Sequence, residues 1–419
     1  MLLYRIFVWL YPKAVRLLAF KNEKARAWLQ GRRQSFQELA AVFHRNTAPV
    51  IWMHCSSLGE FEQGLPVLEA LKEQYPSHLL LVTFFSPSGY EVRKKHPSAD
   101  HVFYLPMDSP SNATRFLNIV QPSLVIFVKY EYWYYYLREV YERKIPLLLI
   151  SGIFREDQPF FRWYGGLYRK MLRFFTGLLV QTEESAELVT KLGITQNLIV
   201  AGDTRFDRVI EIANNFSEIA PVSAFCAGHP VVVAGSTWTD DDEELDHFAN
   251  THPTIRFIIA PHDIGDDRLR ECLHLYKHSV LYSDYLKISA DDKPDHINTL
   301  IIDNIGMLSR LYHYASVCYI GGGFGDDGIH NVLEAAVYNK PVLFGPVYDK
   351  YIEGVELLDA GGAFSIEDAL ELEAELNRLL VDREHHANAA SAAGAYVKTK
   401  AGATAAVLKF IQENRLLIN

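Results

Sequence analysis

At 419 residues the chain is long for a single hydrophobic core, and two compact domains is the natural division. With 49% apolar and 13% aromatic residues it can fill such cores, which excludes a disordered chain. A formal net charge of −10 argues against general nucleic-acid binding.

That charge is unevenly spread. Residues 1–45 hold nine Lys/Arg (Arg5, Lys13, Arg16, Lys21, Lys24, Arg26, Arg32, Arg33 and Arg45) against Glu23 and Glu38, a local +7, so the remainder carries −17. The first stretch, MLLYRIFVWLYPKAVRLLAF, is rich in Leu, Phe, Trp and Tyr but is broken by Arg5, Pro12, Lys13 and Arg16. It therefore lacks the roughly 20 uninterrupted apolar residues of a membrane span. No small-residue cleavage site follows, which disfavours a secretory signal. The pattern predicts a basic amphipathic segment over 1–45 that lies on an anionic membrane surface, its apolar face in the lipid. An amphipathic helix packed only on its own domain and, third, a true membrane span are the alternatives.

A β/α rhythm begins at Val50. The run VIWMHC reads as a strand, SSLGE as a turn and FEQGLPVLEALKEQY as a helix; LLLVTFF, HVFYLP, PSLVIFV, PLLLISG and GLLVQT continue the strands. The rhythm pauses after Ala201-Gly202-Asp203, and Asn214-Asn215, Pro221, Gly228 and Pro230 suggest a linker over 208–230. It resumes with VVVAGST, RFIIAP, HSVLYS, NTLIID, SVCYIGGG and PVLFGP. Short apolar runs alternating with helices predict an α/β fold with parallel sheets covered on both faces. The expected divisions are a membrane-associating segment 1–45, a Rossmann-like domain 46–207, the linker, a second such domain 231–395 and a C-terminal helix 396–419. The four cysteines, Cys55, Cys226, Cys272 and Cys318, form no C-x-x-C pair, which favours a reducing compartment and no structural zinc.

Four strand-to-helix turns carry candidate chemistry. In His54-Cys55-Ser56-Ser57-Leu58-Gly59-Glu60, small residues let a ligand approach, and Glu60 at the helix start suits a general base or, equally, a plain dipole-favoured glutamate. Glu62 reads as a surface residue. Lys129-Tyr130-Glu131-Tyr132-Trp133 places Glu131 just beyond a strand, within a run whose tyrosines read mostly as core. Gly235-Ser236-Thr237 offers amides and hydroxyls to a phosphate. The most specific signal is Gly321-Gly322-Gly323-Phe324 with Gly328-Ile329-His330-Asn331-Val332-Leu333-Glu334: a Gly-rich turn, then a helix start whose Glu334 can accept from a ribose diol. It does not match G-x-G-x-x-G, and neither a P-loop nor G-x-S-x-G is present, which disfavours dehydrogenases, NTPases and serine hydrolases. Asp240-Asp241-Asp242 reads as a solvated first helical turn.

In this order, SSLGEF, Glu131-Tyr132-Trp133, GDTRFD, GSTWTDDDEE, IIDNIGML and GGGFGDDGIHNVLEAA resemble the Kdo (3-deoxy-D-manno-octulosonic acid) transferases over nearly the whole chain. The resemblance implies the GT-B architecture, two facing Rossmann-like domains with a cleft between them, the first binding the acceptor and the second the nucleotide sugar. It implies transfer of Kdo from CMP-Kdo to a lipid A precursor in lipopolysaccharide synthesis, with inversion and without a metal or other cofactor, at the cytoplasmic side of the inner membrane. It puts the catalytic base at Glu60 and a second acid at Glu131. The expected acceptor side is Ser56, Ser57, Gly59 and Lys129. Nucleotide contacts are expected at Ser236, Thr237, His262, Ile305, Gly306, Met307, Gly322, Asn331 and Glu334. Three departures stand out: Lys129 replaces the first glutamate of the family's acidic element, Tyr134-Tyr135 replace a Pro-Asn, and Pro261-His262-Asp263 stands for R-H-P, so the usual Arg is missing. The alternatives are another GT-B transferase or a nucleotide-sugar epimerase using a UDP- or GDP-sugar, or a non-catalytic binding protein on the same fold.

Overall fold

The computed structural model describes residues 1–289 and 296–417. They form two compact units: Met1–Arg208 together with the segment from Ala401, and Val209–Lys400.

The first unit is built on seven parallel strands, β1 (Val50–Cys55), β2 (Leu79–Phe84), β3 (His101–Tyr104), β4 (Pro122–Val128), β5 (Leu147–Gly152), β6 (Gly177–Val180) and β7 (Leu198–Val200), in the order β3-β2-β1-β4-β5-β6-β7. Every residue of β1 is buried, as a parallel strand with helices on both faces requires. One face packs Trp52, Phe116, Phe127 and Tyr136; the other packs Met53, Phe61, Leu65 and Phe84 with Val407, Phe410 and Ile411 of the helix Ala403–Glu413. That last helix is pinned by Asp207, whose carboxylate accepts from the amides of Gly402 and Thr404 at 2.6 Å each.

The second unit repeats the plan with β8 (Val231–Thr237), β9 (Arg256–Pro261), β10 (Ser279–Leu281), β11 (Thr299–Ile301), β12 (Val317–Ile320), β13 (Val342–Phe344) and β14 (Ala363–Ser365), in the order β10-β11-β9-β8-β12-β13-β14.

Several expectations need adjustment. Residues 208–230 are not an open linker: the helices Thr204–Asn214 and Ala220–Cys226 run through them, and Val209, Val222 and Phe225 are buried. Pro221 sits in a first helical turn, where its missing N–H costs nothing. The C-terminal residues 396–419 divide, since the helix Arg383–Lys400 belongs to the second unit and Ala403–Glu413 to the first. Asp241 and Asp242 are buried, not solvated. Asp241 accepts from the Trp238 amide (2.8 Å), the Gly322 amide (2.8 Å) and the Tyr319 hydroxyl (2.7 Å), while Asp242 accepts from the Tyr276 hydroxyl (2.8 Å) and pairs with Arg268. The four cysteines are free and buried.

The N-terminal segment opens with the helix Leu2–Leu18, of which only Val8 and Val15 are buried. Leu2, Leu3, Trp9, Leu17, Leu18 and Phe20 are exposed. Tyr4 ties this helix to the body: its hydroxyl donates to Asp108 and accepts from the Tyr134 amide at 3.1 Å. Among the described residues no helix is long and apolar enough to cross a membrane. Not all of the basic excess is available to a surface, because Arg32 donates to the carbonyls of Leu105 (2.9 Å) and Phe85 (2.7 Å) over the Trp28 ring.

Candidate active site

Each sheet reverses its strand order beside its first strand, between β1 and β4 and between β8 and β12. Connections leaving two such neighbours in opposite directions open a crevice at their carboxyl ends, where open α/β sheets take ligands. The candidate residues gather at these two points.

In the first unit Ser56 and Ser57 turn the chain from β1 into the helix Leu58–Gln74. The Ser57 hydroxyl accepts from the Glu60 amide at 3.4 Å, and the Ser56 amide donates to the Glu60 carboxylate. Glu60 is thus fixed by its own turn and is only 9% exposed. Burial, and next the charge of Glu131, push its proton affinity up to about 8, while the Ser56 amide and the Lys129 ammonium pull the other way. A Cβ built on Gly59 would meet no atom within 4 Å, so the approach to the turn is open. Glu62, on the same helix, is held elsewhere, by Arg93 at 2.6 Å.

Glu131 follows β4 after Lys129, whose backbone adopts the left-handed conformation (φ 60°). Its carboxylate accepts from the Trp133 indole and faces His54 Nε2 at 3.2 Å. His54 carries no role in the sequence motif that contains it. It stands in the fully buried β1, and its Nδ1 lies 2.9 Å from the Thr83 hydroxyl, which accepts from the Trp52 indole at 2.8 Å. His54 Nδ1 also lies 3.1 Å from the Thr83 carbonyl, and the Trp133 indole lies 3.2 Å from Nε2, so both ring nitrogens are engaged beside Glu131. A buried chain from Trp52 through Thr83 and His54 therefore positions Glu131. The signal that could have found it was a histidine inside an otherwise apolar buried strand.

The raised proton affinity of Glu60 lowers stability at alkaline pH. Its folded value lies above the ordinary carboxylate range, so the folded protein keeps a proton that the unfolded chain gives up, and stability falls as pH rises from about 4.5 towards 8. Glu60→Gln removes this penalty and keeps a carbonyl for the Ser56 amide. The variant should melt above wild type at pH 8.5 and lose that advantage at pH 4.5; equal melting curves at pH 8.5 would contradict the assignment.

In the second unit Ser236 takes a left-handed conformation (φ 58°), and the β8–β9 register breaks between Gly235 and Thr237. The Gly-rich turn after β12 packs backbone on backbone: a Cβ on Gly321 would lie 2.4 Å from the Ser236 carbonyl, and one on Gly323 2.5 Å from the Gly345 amide. The Gly322 amide already donates to Asp241. The His262 amide donates to the Thr237 carbonyl at 3.0 Å, which fastens the end of β9 to the turn of Ser236 and Thr237. The His262 ring stacks on Trp238 (4.5 Å between centroids) and on His330 (4.6 Å). The Trp238 indole donates to His330 Nε2 at 3.3 Å. Burial, then the neighbouring His262, lower the proton affinity of His330 to about 4, so this ring is neutral at pH 7. Trp238 remains 41% exposed, which leaves a ring surface open beside the Ser236-Thr237 turn. Trp238 and His330 stand within the sequence motifs, but nothing in their local pattern gave either a role.

The remaining candidates surround the same turns. Ile305 is 88% exposed and, with Gly306 and Met307, leads into the short helix Leu308–Leu311. The Asn331 side chain accepts from the Leu333 amide (3.2 Å) and donates to Glu334 (3.1 Å). Tyr312 connects the two groups: its hydroxyl lies where a Cβ on Gly235 would be, and it feels the charge of Glu334. Among the described residues no three His, Cys, Asp or Glu side chains gather as ligands for a metal ion.

Comparison with known proteins agrees with this arrangement. The family described as 3-deoxy-D-manno-octulosonic-acid transferase (kdotransferase) matches residues 30–208. A 3-deoxy-D-manno-octulosonic acid transferase of Aquifex aeolicus is 26% identical over 343 residues, 80% of this chain and 87% of that protein. A bifunctional glycosyltransferase/methyltransferase of Fusobacterium nucleatum is 28% identical over 366 residues, 84% of this chain but only 55% of its own length. In fold, the chain is similar to a UDP-GlcNAc 2-epimerase from Neisseria meningitidis, with a TM-score of 0.62 at 14% identity over 87% of this chain and 100% of that one. Two Rossmann-like units with their candidate residues at the strand-order reversals have the GT-B fold, and the transferase relatives make the chain a glycosyltransferase. Within that class, the chain is similar to the Kdo transferases, whose family model matches its residues 30–208.

Proposed function

We propose that the protein transfers Kdo from CMP-Kdo to a lipid A precursor in lipopolysaccharide synthesis, at the cytoplasmic side of the inner membrane. The observation that carries this reading is Glu60, a buried carboxylate pinned at the β1 turn with its proton affinity raised to about 8. A base is most effective when its proton affinity lies near the working pH. In the reaction, Glu60 takes the proton of the acceptor hydroxyl as that oxygen bonds to the anomeric carbon. The bond from that carbon to the CMP phosphate oxygen breaks, and attack on the opposite face inverts the centre. The departing phosphate is already an anion and needs stabilisation more than a proton. Amides of the Ser236-Thr237 turn and the Asn331 side chain suit that task, and the reading assigns no step to a metal or other cofactor.

Mass analysis of a lipid A precursor incubated with the protein and CMP-Kdo tests the proposal. A gain of one or more Kdo units is expected. No gain, together with turnover of UDP-GlcNAc, would favour an epimerase instead.

Two further outcomes follow from the same reading. Glu334→Ala should weaken CMP binding by about 1.5–3 kcal/mol, the worth of charge-assisted hydrogen bonds to the ribose, without altering the melting temperature; calorimetry with wild-type CMP affinity would count against it. Removing residues 1–20 should release the protein from anionic liposomes while preserving CMP binding, because polybasic attraction of about 1 kcal/mol per residue acts with the exposed Leu2, Leu3, Trp9 and Leu17. Unchanged liposome binding by the shortened protein would defeat the membrane assignment.

A further inference from the structure

Among the described residues, the most exposed large apolar side chain of the first unit outside the N-terminal helix is Trp163, at 92%, followed in sequence by Tyr164 at 58%. Both sit in the connection between β5 and the helix Gly166–Leu172. Isolated exposed apolar residues need no explanation, but this pair is held out by a braced turn. Arg169 donates to the carbonyls of Phe160 and Arg162 at 2.9 Å each. The Gly165 amide closes onto the Arg162 carbonyl at 2.9 Å, and a Cβ on Gly165 would lie 1.9 Å from the Pro159 carbonyl, so the turn admits only glycine there. At its base the buried Phe160 packs edge-on against Tyr132, 4.9 Å between centroids, and Tyr132 is the neighbour of Glu131.

The charge of this segment matches one kind of partner. Residues 155–173, REDQPFFRWYGGLYRKMLR, hold Arg155, Arg162, Arg169, Lys170 and Arg173 against Glu156 and Asp157, a local +3 in a chain of net charge −10. The segment is also continuous with the N-terminal helix. Lys170 Nζ lies 6.0 Å from the centre of the Tyr134 ring, and the Tyr134 amide donates to the Tyr4 hydroxyl. Tryptophan and tyrosine with adjacent cations are the side chains that settle at the headgroup level of a bilayer.

We propose that the Trp163-Tyr164 turn is a second contact with an anionic bilayer, which sets the carboxyl end of the first sheet, with Glu60 and Glu131, against the membrane surface. This rests on the membrane reading above and adds a contact outside residues 1–45. The test uses the full chain and vesicles of phosphatidylglycerol and phosphatidylethanolamine carrying brominated acyl chains, which quench tryptophan at the interface. In a Trp9→Phe background, quenching should persist and should fall sharply in Trp9→Phe/Trp163→Phe; Trp238→Phe in the same background is the control. Trp163→Ser/Tyr164→Ser, with an unchanged circular dichroism spectrum, should weaken vesicle binding roughly tenfold. Quenching that is unaffected by Trp163→Phe overturns the second contact. If residues 1–20 are then still required for vesicle binding, the membrane reading survives and this proposal alone falls; if the wild-type chain binds no vesicles, both fall.

Discussion

Glu60→Gln is expected to lower turnover on a lipid A precursor about 100- to 10,000-fold, the usual contribution of a positioned base, while CMP affinity and the folded spectrum stay at wild-type values. The argument is local. The acceptor hydroxyl is a poor nucleophile until its proton is removed, and Glu60 is a buried carboxylate with an open approach over Gly59. The Ser56 amide and the Ser57 cap hold it without help from distant parts of the chain, so glutamine should occupy the same place and lack only the basic oxygen. Glu62→Gln is the matched control and should be nearly silent, since Glu62 is engaged by Arg93. The pH profile separates chemistry from structure. The rate should rise through about pH 8 as Glu60 loses its proton. Removing the charge of the neighbouring carboxylate in Glu131→Gln should move that rise to lower pH. If Glu60→Gln keeps wild-type turnover, the base is elsewhere and Glu131 is the next residue to replace.

Much of the fold was legible because parallel strands buried on both faces are continuous apolar runs, and VIWMHC, PSLVIFV and VVVAGST could hardly be anything else. The strands that escaped notice, Leu198–Val200 and Ala363–Ser365, are three residues long and lie at sheet edges, where pairing on one side suffices and no long apolar run is required. The segment 208–230 misled for the opposite reason. Its Asn, Pro and Gly residues are turn signals, but Val209, Val222 and Phe225 are buried, and tertiary packing overrode the signals. At the candidate site, glutamates just after strands were visible, whereas their supports were not. The pairing of His54 with Glu131 joins residues 77 apart in sequence, and only the adjacency of β1 and β4 brings them together. The acidic run 240–242 carries the same lesson, for a row of aspartates reads as solvated until the donors that surround it are known.

Asp241→Ala is expected to destabilise the second unit by about 3–5 kcal/mol. It strands three donors, the Trp238 amide, the Gly322 amide and the Tyr319 hydroxyl, in a place where Asp241 itself is buried, and each unsatisfied buried group costs about 1–3 kcal/mol. The loss should extend to binding. Asp241 takes hydrogen bonds from both the segment after β8 and the Gly-rich turn after β12, so without it the Ser236-Thr237 turn and Gly322 are no longer held in register. Asp241→Asn keeps one acceptor oxygen and turns an amide donor towards the other donors, and should fall between alanine and wild type. Thermal unfolding followed by near-ultraviolet circular dichroism, with and without CMP, distinguishes this role from that of Glu334, whose replacement should cut CMP affinity at an unchanged melting temperature. An Asp241→Ala protein that melts with wild type would mean that water satisfies the three donors, and that backbone packing of Gly321 and Gly323 alone holds the two turns together.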